Sequence, residues 1–235
     1  MAEIGPGAPP HPSVGAVVAL VAVTLAILGA LMFAAAGTIA WPRGRLFLAV
    51  YGALTAAACA WLWRTNPEIF AARSRIQKGT KPWDRALTAA IVASWVAILI
   101  VSALDDARFG WARPPDWVVA LGYALFAPGF LGFAWAQSVN PHFEATVRIQ
   151  TDRGHSVVST GPYAIVRHPG YAFAIPMVLG MPLAMGSLWG LVPAGMLVGL
   201  IAVRTFAEDA TLKAELPGYA DYAARVRWRW LPGVF

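Results

Sequence analysis

Apolar residues along this chain come in long blocks rather than in alternating stripes. Ser13 to Ala40 is apolar almost throughout, long enough to cross a bilayer as a tilted helix. Trp41-Pro42-Arg43-Gly44-Arg45 reads as a tight turn, and Leu46 to Trp63 as the return crossing. Ala86 to Leu104 and Trp117 to Gln137 are predicted as a third and a fourth span. Tyr171 to Met185 and Leu188 to Val203 form a fifth and a sixth, paired around Gly186-Ser187. At 1.5 Å per residue this last pair is short, roughly 22–24 Å against a hydrocarbon core of about 30 Å. It also carries Pro176, Pro182 and Pro193. Short, proline-interrupted helices suit a hairpin packed on other protein, around a cavity, better than helices facing lipid.

The polar stretches between the blocks carry their own predictions. Within Arg64–Arg85, Ile69, Phe70, Ala72 and Ile76 give the segment Glu68–Ile76 one apolar face, as in a short interfacial helix or a solvated basic loop. Past the sixth span, Pro217-Gly218-Tyr219 reads as a turn and Tyr222–Arg229 as a short basic helix. The pattern predicts an all-α, polytopic helical membrane protein with about six transmembrane segments. Residues 1–137 would hold four spans and the basic loop 64–85; residues 138–235 would hold the C-terminal catalytic region with the hairpin 171–203.

Composition fixes the class. Of the 235 residues 58% are apolar and 13% charged, against roughly 25% charged in a soluble domain, and mean hydropathy is +0.59. The net charge of +6 calls for no nucleic acid, because membrane topology itself requires basic loops. Cys59 is the single cysteine, which excludes an intramolecular disulfide and a multi-cysteine zinc site. Met1 to Pro12 lacks a basic leader, and the apolar segment after it is too long for a signal peptide, so it is expected to be retained.

Loop charges give an orientation. Arg64, Arg73, Arg75, Lys78, Lys81 and Arg85 face only Glu68 and Asp84 in one loop, whereas Asp105–Asp116 holds two arginines and three aspartates. Basic residues recur at Arg148, Arg153 and Arg167 and through the C-terminal tail. The positive-inside rule then places both termini, the 64–85 loop and residues 163–171 in the cytoplasm. Arg43 and Arg45 dissent. Trp41, Trp61, Trp63, Trp111 and Trp117 stand at span ends as interfacial anchors.

Two polar clusters carry the candidate chemistry. In the first, Gly161-Pro162-Tyr163-Ala164-Ile165-Val166-Arg167-His168-Pro169-Gly170-Tyr171, proline suits the first helical turn. The unpaired N–H groups there make an anion site beside Arg167 and His168. The bland reading is the basic entry of a membrane helix. In the second, Arg204 and Glu208 share a helix face at the membrane edge, where ionisable residues are functional candidates, although Arg204 also fits a snorkelling role. The order Arg before Glu is the weaker one for a helix pair, so each is expected to have a partner elsewhere. His142, His155 and His168 recur every thirteen residues, which matches no metal motif, and no metal is expected. A broken-helix transporter lacks support, since the two halves show no paired symmetry.

Read together, the clusters take the form G-x-Y-x-x-x-R-H-P-x-Y, an apolar hairpin, R-x-x-x-E-[ED]-x-x-L and G-Y-x-x-Y. They fall on Gly161, Tyr163, Arg167-His168-Pro169, Tyr171, Arg204, Glu208-Asp209, Leu212, Gly218-Tyr219 and Tyr222. The chain resembles the isoprenylcysteine carboxyl methyltransferase family and the wider group of integral-membrane methyltransferases that includes phospholipid methyltransferases. The likeness covers roughly the last hundred residues; upstream only Asn66-Pro67-Glu68 and Asn140-Pro141-His142-Phe143 match. One departure stands out: Phe173 occupies the place of the glycine that ends the first motif, which implies a reshaped pocket or a role taken over by Ala172.

The resemblance implies S-adenosylmethionine as cofactor, with S-adenosylhomocysteine as product, bound on the cytoplasmic side. It assigns cofactor contacts to Gln150, His155, Ser156, Val157, Val158, Tyr163, His168, Pro169, Gly170, Tyr171 and Glu208. It places Arg204 on the acceptor side, with Arg167 as the second catalytic cation. The implied partners are the lipid bilayer and an amphiphilic or prenylated small-molecule or lipid acceptor. The leading acceptor is an isoprenylcysteine-like carboxylate. Phospholipid N-methylation is the alternative enzyme reading, and a non-catalytic scaffold or transporter the alternative of another class.

Overall fold

The computed structural model describes residues 13–74 and 76–235. The expectations for Met1–Pro12 and for the charge of Arg75 lie outside the described residues. The order is α1 (Val14–Ala36), α2 (Pro42–Thr65), α3 (Ile69–Arg73), α4 (Pro82–Ser102), α5 (Asp116–Val139), α6 (Pro169–Ala184), α7 (Leu191–Glu215) and α8 (Tyr219–Arg225). A π-helical segment, Ala103–Phe109, extends α4. No strand occurs among the described residues. Five helices are long and apolar enough to cross a membrane: α1, α2, α4 with its extension, α5 and α7. The protein is an all-helical membrane protein. α6, the fifth block of the sequence, is shorter at 16 residues.

The helices run back and forth between two ends. Residues 66–81, 140–168 and the stretch after α7 gather at one end, here the site end; the turns at 37–41, 103–116 and 185–190 gather at the other. Asp105 is the staple of that far end. Fully buried, it accepts hydrogen bonds from the Ser187 hydroxyl at 2.7 Å and from the backbone N–H groups of Leu188, Trp189 and Ala112. One carboxylate thus ties the α6–α7 turn to the end of α4. Such charge-assisted bonds to backbone donors are among the stronger ones available.

Close packing of α5 on α6 sets the centre of the molecule. A Cβ on Gly122 would collide with the backbone of Leu183 and Ala184, and one on Gly129 with the backbone of Met177. Small residues let membrane helices approach closely where no hydrophobic drive separates helix from lipid. Nine of the sixteen residues of α6 are buried, from Pro169 to Ala184, as expected of a proline-bearing helix sheltered by protein.

Several boundaries differ from the sequence reading, each for a physical reason. Trp41–Arg45 is no turn: α1 ends at Gly37, left-handed at φ 71°, and Pro42 starts α2 at a position where a missing N–H costs nothing. Trp41 is no interfacial anchor; it is 3% exposed and donates its indole N–H to Asp106 at 2.7 Å. The far-side arginine that disturbed the charge rule, Arg43, is paired with Asp106 at 2.7 Å and with Asp116 at 3.0 Å. The sixth block does not end at Val203. α7 runs 25 residues to Glu215, because nothing interrupts it before Pro217, and Val192, Met196, Val203 and Phe206 point outward. Arg204 and Glu208 therefore lie within the long helix. The expected interfacial helix shrinks to Ile69–Arg73, and the last short helix lies at Tyr219–Arg225, opened by Gly218 at φ 80°.

Topology gives the first test. In a Cys59→Ala background, Lys78→Cys and Val234→Cys should be labelled by an impermeant maleimide from one face of oriented vesicles, and Arg113→Cys from the other. Labelling of Lys78→Cys and Arg113→Cys from the same face would refute the single crossing that α4 makes between them.

Candidate active site

A cavity of 340 Å³ opens at the site end, within the range of small-molecule sites, about 300–1,000 Å³. Its polar walls come from residues 140–158, Tyr163, Glu208 and the α8 tyrosines Tyr219 and Tyr222. Its membrane-side walls are apolar: Ile91, Trp95, Phe133, Met177, Leu197 and Ile201. Of the residues assigned from sequence, Gln150, His155, Ser156, Val157, Val158, Tyr163, Arg167, His168, Gly170, Tyr171, Arg204 and Glu208 line this one cavity. Pro169 is buried as the first residue of α6 and is not among the lining residues.

Glu208 and Arg204 do not pair with each other. Tyr171 donates its hydroxyl to Glu208 Oε2 at 2.6 Å, and Oε1 has no protein partner among the described residues. Arg204 faces Asp84 of α4: Nη2 donates to Asp84 Oδ2 at 2.9 Å and to the Ala145 carbonyl at 2.8 Å, and Nε lies 2.8 Å from Oδ1. The arginine's carboxylate-matching edge is already occupied, leaving Nη1 without a protein partner among the described residues. Asp84, fully buried, also accepts the Val147 N–H at 2.6 Å, while Lys81 N–H donates to the Val147 carbonyl at 3.0 Å. These bonds hang the cavity wall 145–147 between α4 and α7.

Arg167 and His168 turn to Asp209. Arg167 Nε and Nη2 donate to the Asp209 carboxylate at 2.9 and 3.2 Å, and Nη1 donates to the carbonyls of Val226 and Arg227. Four of its five N–H groups are thereby engaged. His168 Nε2 lies 3.4 Å from Asp209 Oδ1, and the Tyr219 hydroxyl donates to the same oxygen at 3.0 Å. The backbone N–H groups of Arg167 and His168 donate to the carbonyls of Trp228 and Arg229. The start of α6 is thus sealed by the C-terminal tail, and the Arg167 guanidinium is neutralised by a buried carboxylate. Gly170 remains open to the cavity; a Cβ there would strike the Phe143 ring.

The segment 142–158 is a self-braced loop. Gln150 donates to the His142 carbonyl at 2.7 Å and accepts from Arg153 at 3.0 Å, so its amide braces the wall it lines. Arg148 grips Glu144 with two bonds and Asp152 with another two; these partners push its pKa further up and hold the exposed Asp152 below the usual carboxylate range. His142 and His155 lie ring to ring, centroids 4.5 Å apart. Burial, then the neighbouring imidazole and arginines, lowers His155 to about 4, and burial lowers His142 as well. Both are neutral near pH 7. Burial raises the pKa of Tyr163, so it is a neutral ring at the cavity wall, its hydroxyl receiving the Asn140 amide at 3.1 Å.

Phe173 explains its own departure from the motif. Its ring fills the groove left by Gly132 on α5, beside Trp135, and neither Phe173 nor Ala172 lines the cavity. The sequence reading missed Asp84, which it counted only as a loop charge; an acid in the first turn of a membrane helix was the available signal. It also missed Asn66, whose amide donates to the carbonyls of Gln137 and Asn140 and so joins the two Asn-Pro stretches. Among the described residues, no three His, Cys, Asp or Glu side chains group closely enough to hold a metal.

Two expectations follow. Asp209→Asn leaves the buried Arg167 without its counter-charge and should lower unfolding stability by about 3–5 kcal/mol, read as a lower melting temperature in detergent. For His155, a folded pKa near 4 against 6.5 unfolded means that the unfolded chain binds more protons between those values. Stability therefore falls as pH drops from 6.5 toward 4, and His155→Gln should flatten that part of a melting-temperature profile.

No curated protein matches the chain. Residues 117–215, the stretch from α5 through α7 that supplies much of the cavity, match a family described as phospholipid methyltransferase, to which this part of the protein is similar.

Proposed function

We propose that this protein is an S-adenosylmethionine-dependent membrane methyltransferase acting on an amphiphilic acceptor that arrives from the bilayer. The leading acceptor group is a carboxylate, as in an isoprenylcysteine-like thioether. The supporting observation is a single cavity that carries a half-open carboxylate, Glu208, at its polar end and apolar walls from α4 to α7 at the other. The site and the basic 64–85 loop are proposed to face the cytoplasm.

The polar end fits the cofactor. The free oxygen of Glu208 suits an ammonium or ribose hydroxyls, and the faces of Tyr163 and Tyr171 suit a sulfonium. His155–Val158 supplies a further edge. When bound, the cofactor supplies a methyl group already activated by its sulfonium. A carboxylate acceptor is ionised at neutral pH, so the chain has no proton to move. Its work is alignment and exclusion of water. Tyr171 holds Glu208 in place, and Asp84 with Arg204 holds the wall at 145–147.

The matched family favours a second reading, methylation of a phospholipid amine. That chemistry needs a base for the ammonium; the free oxygen of Glu208 is here assigned to the cofactor, and His168 stands beside Asp209 and Tyr219. The carboxylate reading needs neither.

Calorimetry checks the cofactor half. The purified protein should bind S-adenosylhomocysteine with or without chelator. Loss of a charge-assisted hydrogen bond costs about 1.5–3 kcal/mol, so Glu208→Gln should weaken binding roughly ten- to a hundredfold. Incubation of membrane extracts with methyl-labelled cofactor checks the acceptor half: base-labile label marks an ester, base-stable label an amine.

A further inference from the structure

A second cavity, of 440 Å³, lies within the helical body beside the first. Helices α1 to α6 all line it, with Leu20, Tyr51, Cys59, Phe126, Phe130 and Met181 among its walls. The two cavities share four residues, Arg73, Trp95, Phe133 and Met177. Among the described residues Arg73 is the sole charged side chain lining the second cavity, and it stands where the apolar space meets the polar one.

Arg73 differs from the other arginines of the site. Arg148, Arg153, Arg167 and Arg204 each face a carboxylate within 4 Å. Arg73 makes no ion pair among the described residues. Its Nη1 donates to the Glu144 carbonyl at 3.2 Å, and its guanidinium lies over Phe143 and Phe133, 5.4 and 5.9 Å from the ring centres. The residue keeps exposed surface and lines both cavities. Enclosure first, and the Arg204 charge second, lower its pKa to about 10, so it remains cationic at neutral pH. A cation here without a counter-ion is held only by a carbonyl and two rings.

We propose that Arg73 is the anion clamp of the acceptor: it grips an oxyanion, carboxylate or phosphate, on an amphiphile whose hydrocarbon chain lies in the second cavity. This rests on the methyltransferase reading and names its acceptor site. Three features support it together. The guanidinium fork matches a carboxylate or a phosphate. An apolar space continues directly from it. The rival cation, Arg204, already holds Asp84. Arg73 is then a specificity-determining residue, and Arg204 a positioning residue acting through the 145–147 wall.

The test uses the full chain in lipid nanodiscs, titrated with dodecanoate, dodecyl phosphate and dodecanol and corrected for empty discs. S-adenosylhomocysteine is titrated in parallel. Wild type should bind at least one of the anionic probes more tightly than dodecanol. Arg73→Gln should lose at least tenfold in affinity for that anion while dodecanol and S-adenosylhomocysteine binding stay within threefold; Arg73→Lys should recover part of the loss. Dependence on Arg73 for dodecanoate alone identifies a carboxylate acceptor, and for dodecyl phosphate alone a phospholipid-type one. An unchanged anion affinity in Arg73→Gln, or an equal loss for dodecanol, overturns the clamp. So does loss of anion binding in Arg204→Lys but not in Arg73→Gln. Arg73-dependent anion binding without any S-adenosylhomocysteine binding keeps the clamp and sinks the methyltransferase reading instead.

Discussion

The site depends most on a buried ion pair between two membrane helices. Asp84 opens α4, Arg204 lies just past the middle of α7, and 120 residues separate them in sequence. Neither charge is stable alone at that depth, since a charge taken from water without a partner costs several kcal/mol. Paired, they fix the spacing of α4 and α7 and leave further bonding capacity on each side. Asp84 uses it on the Val147 N–H and Arg204 on the Ala145 carbonyl. The loop 140–150 is irregular, and irregular backbone near a membrane persists only where its polar groups find partners. Pair and loop therefore stabilise each other, and the cavity is the space they keep open.

A second carboxylate, Asp209, does the corresponding work one residue beyond Glu208. Successive residues on a helix point about 100° apart, following from 3.6 residues per turn, so Glu208 and Asp209 cannot serve the same group. Glu208 turns to Tyr171 and the cavity; Asp209 turns to Arg167, Tyr219, Lys213 and Arg229. The doubled acid of the motif thus divides into one group that faces the cavity and one that fastens the C-terminal tail over the start of α6. That sealing also explains why Arg167 and His168, prominent in sequence, have little capacity left for a ligand.

The helices were legible because a bilayer imposes long apolar blocks, and the α6 prolines announced a sheltered helix. Motif order led to one cavity, since Tyr163, Tyr171, Arg204 and Glu208 lie on elements that pack together. What stayed hidden was pairing across the chain. Asp84 in a basic loop looks like solvated charge until α7 brings Arg204 against it. Trp41 looks like an anchor until Asp106 accepts its N–H. Phe173 looked like damage to the pocket because the motif does not record which way a side chain faces, and Gly132, the residue that receives its ring, lies on another helix.

Electrostatics then bears on which arginine meets the acceptor. An acceptor carboxylate placed on Arg204 would lie beside Asp84, and two carboxylates sharing one cation repel, driving one of them to take up a proton. A protonated acceptor is a poor nucleophile. At Arg73 the same carboxylate meets no acidic neighbour in contact with the guanidinium. On the proposed reading, the arrangement that keeps the site rigid favours the arginine between the two cavities over Arg204 as partner of the acceptor's charge.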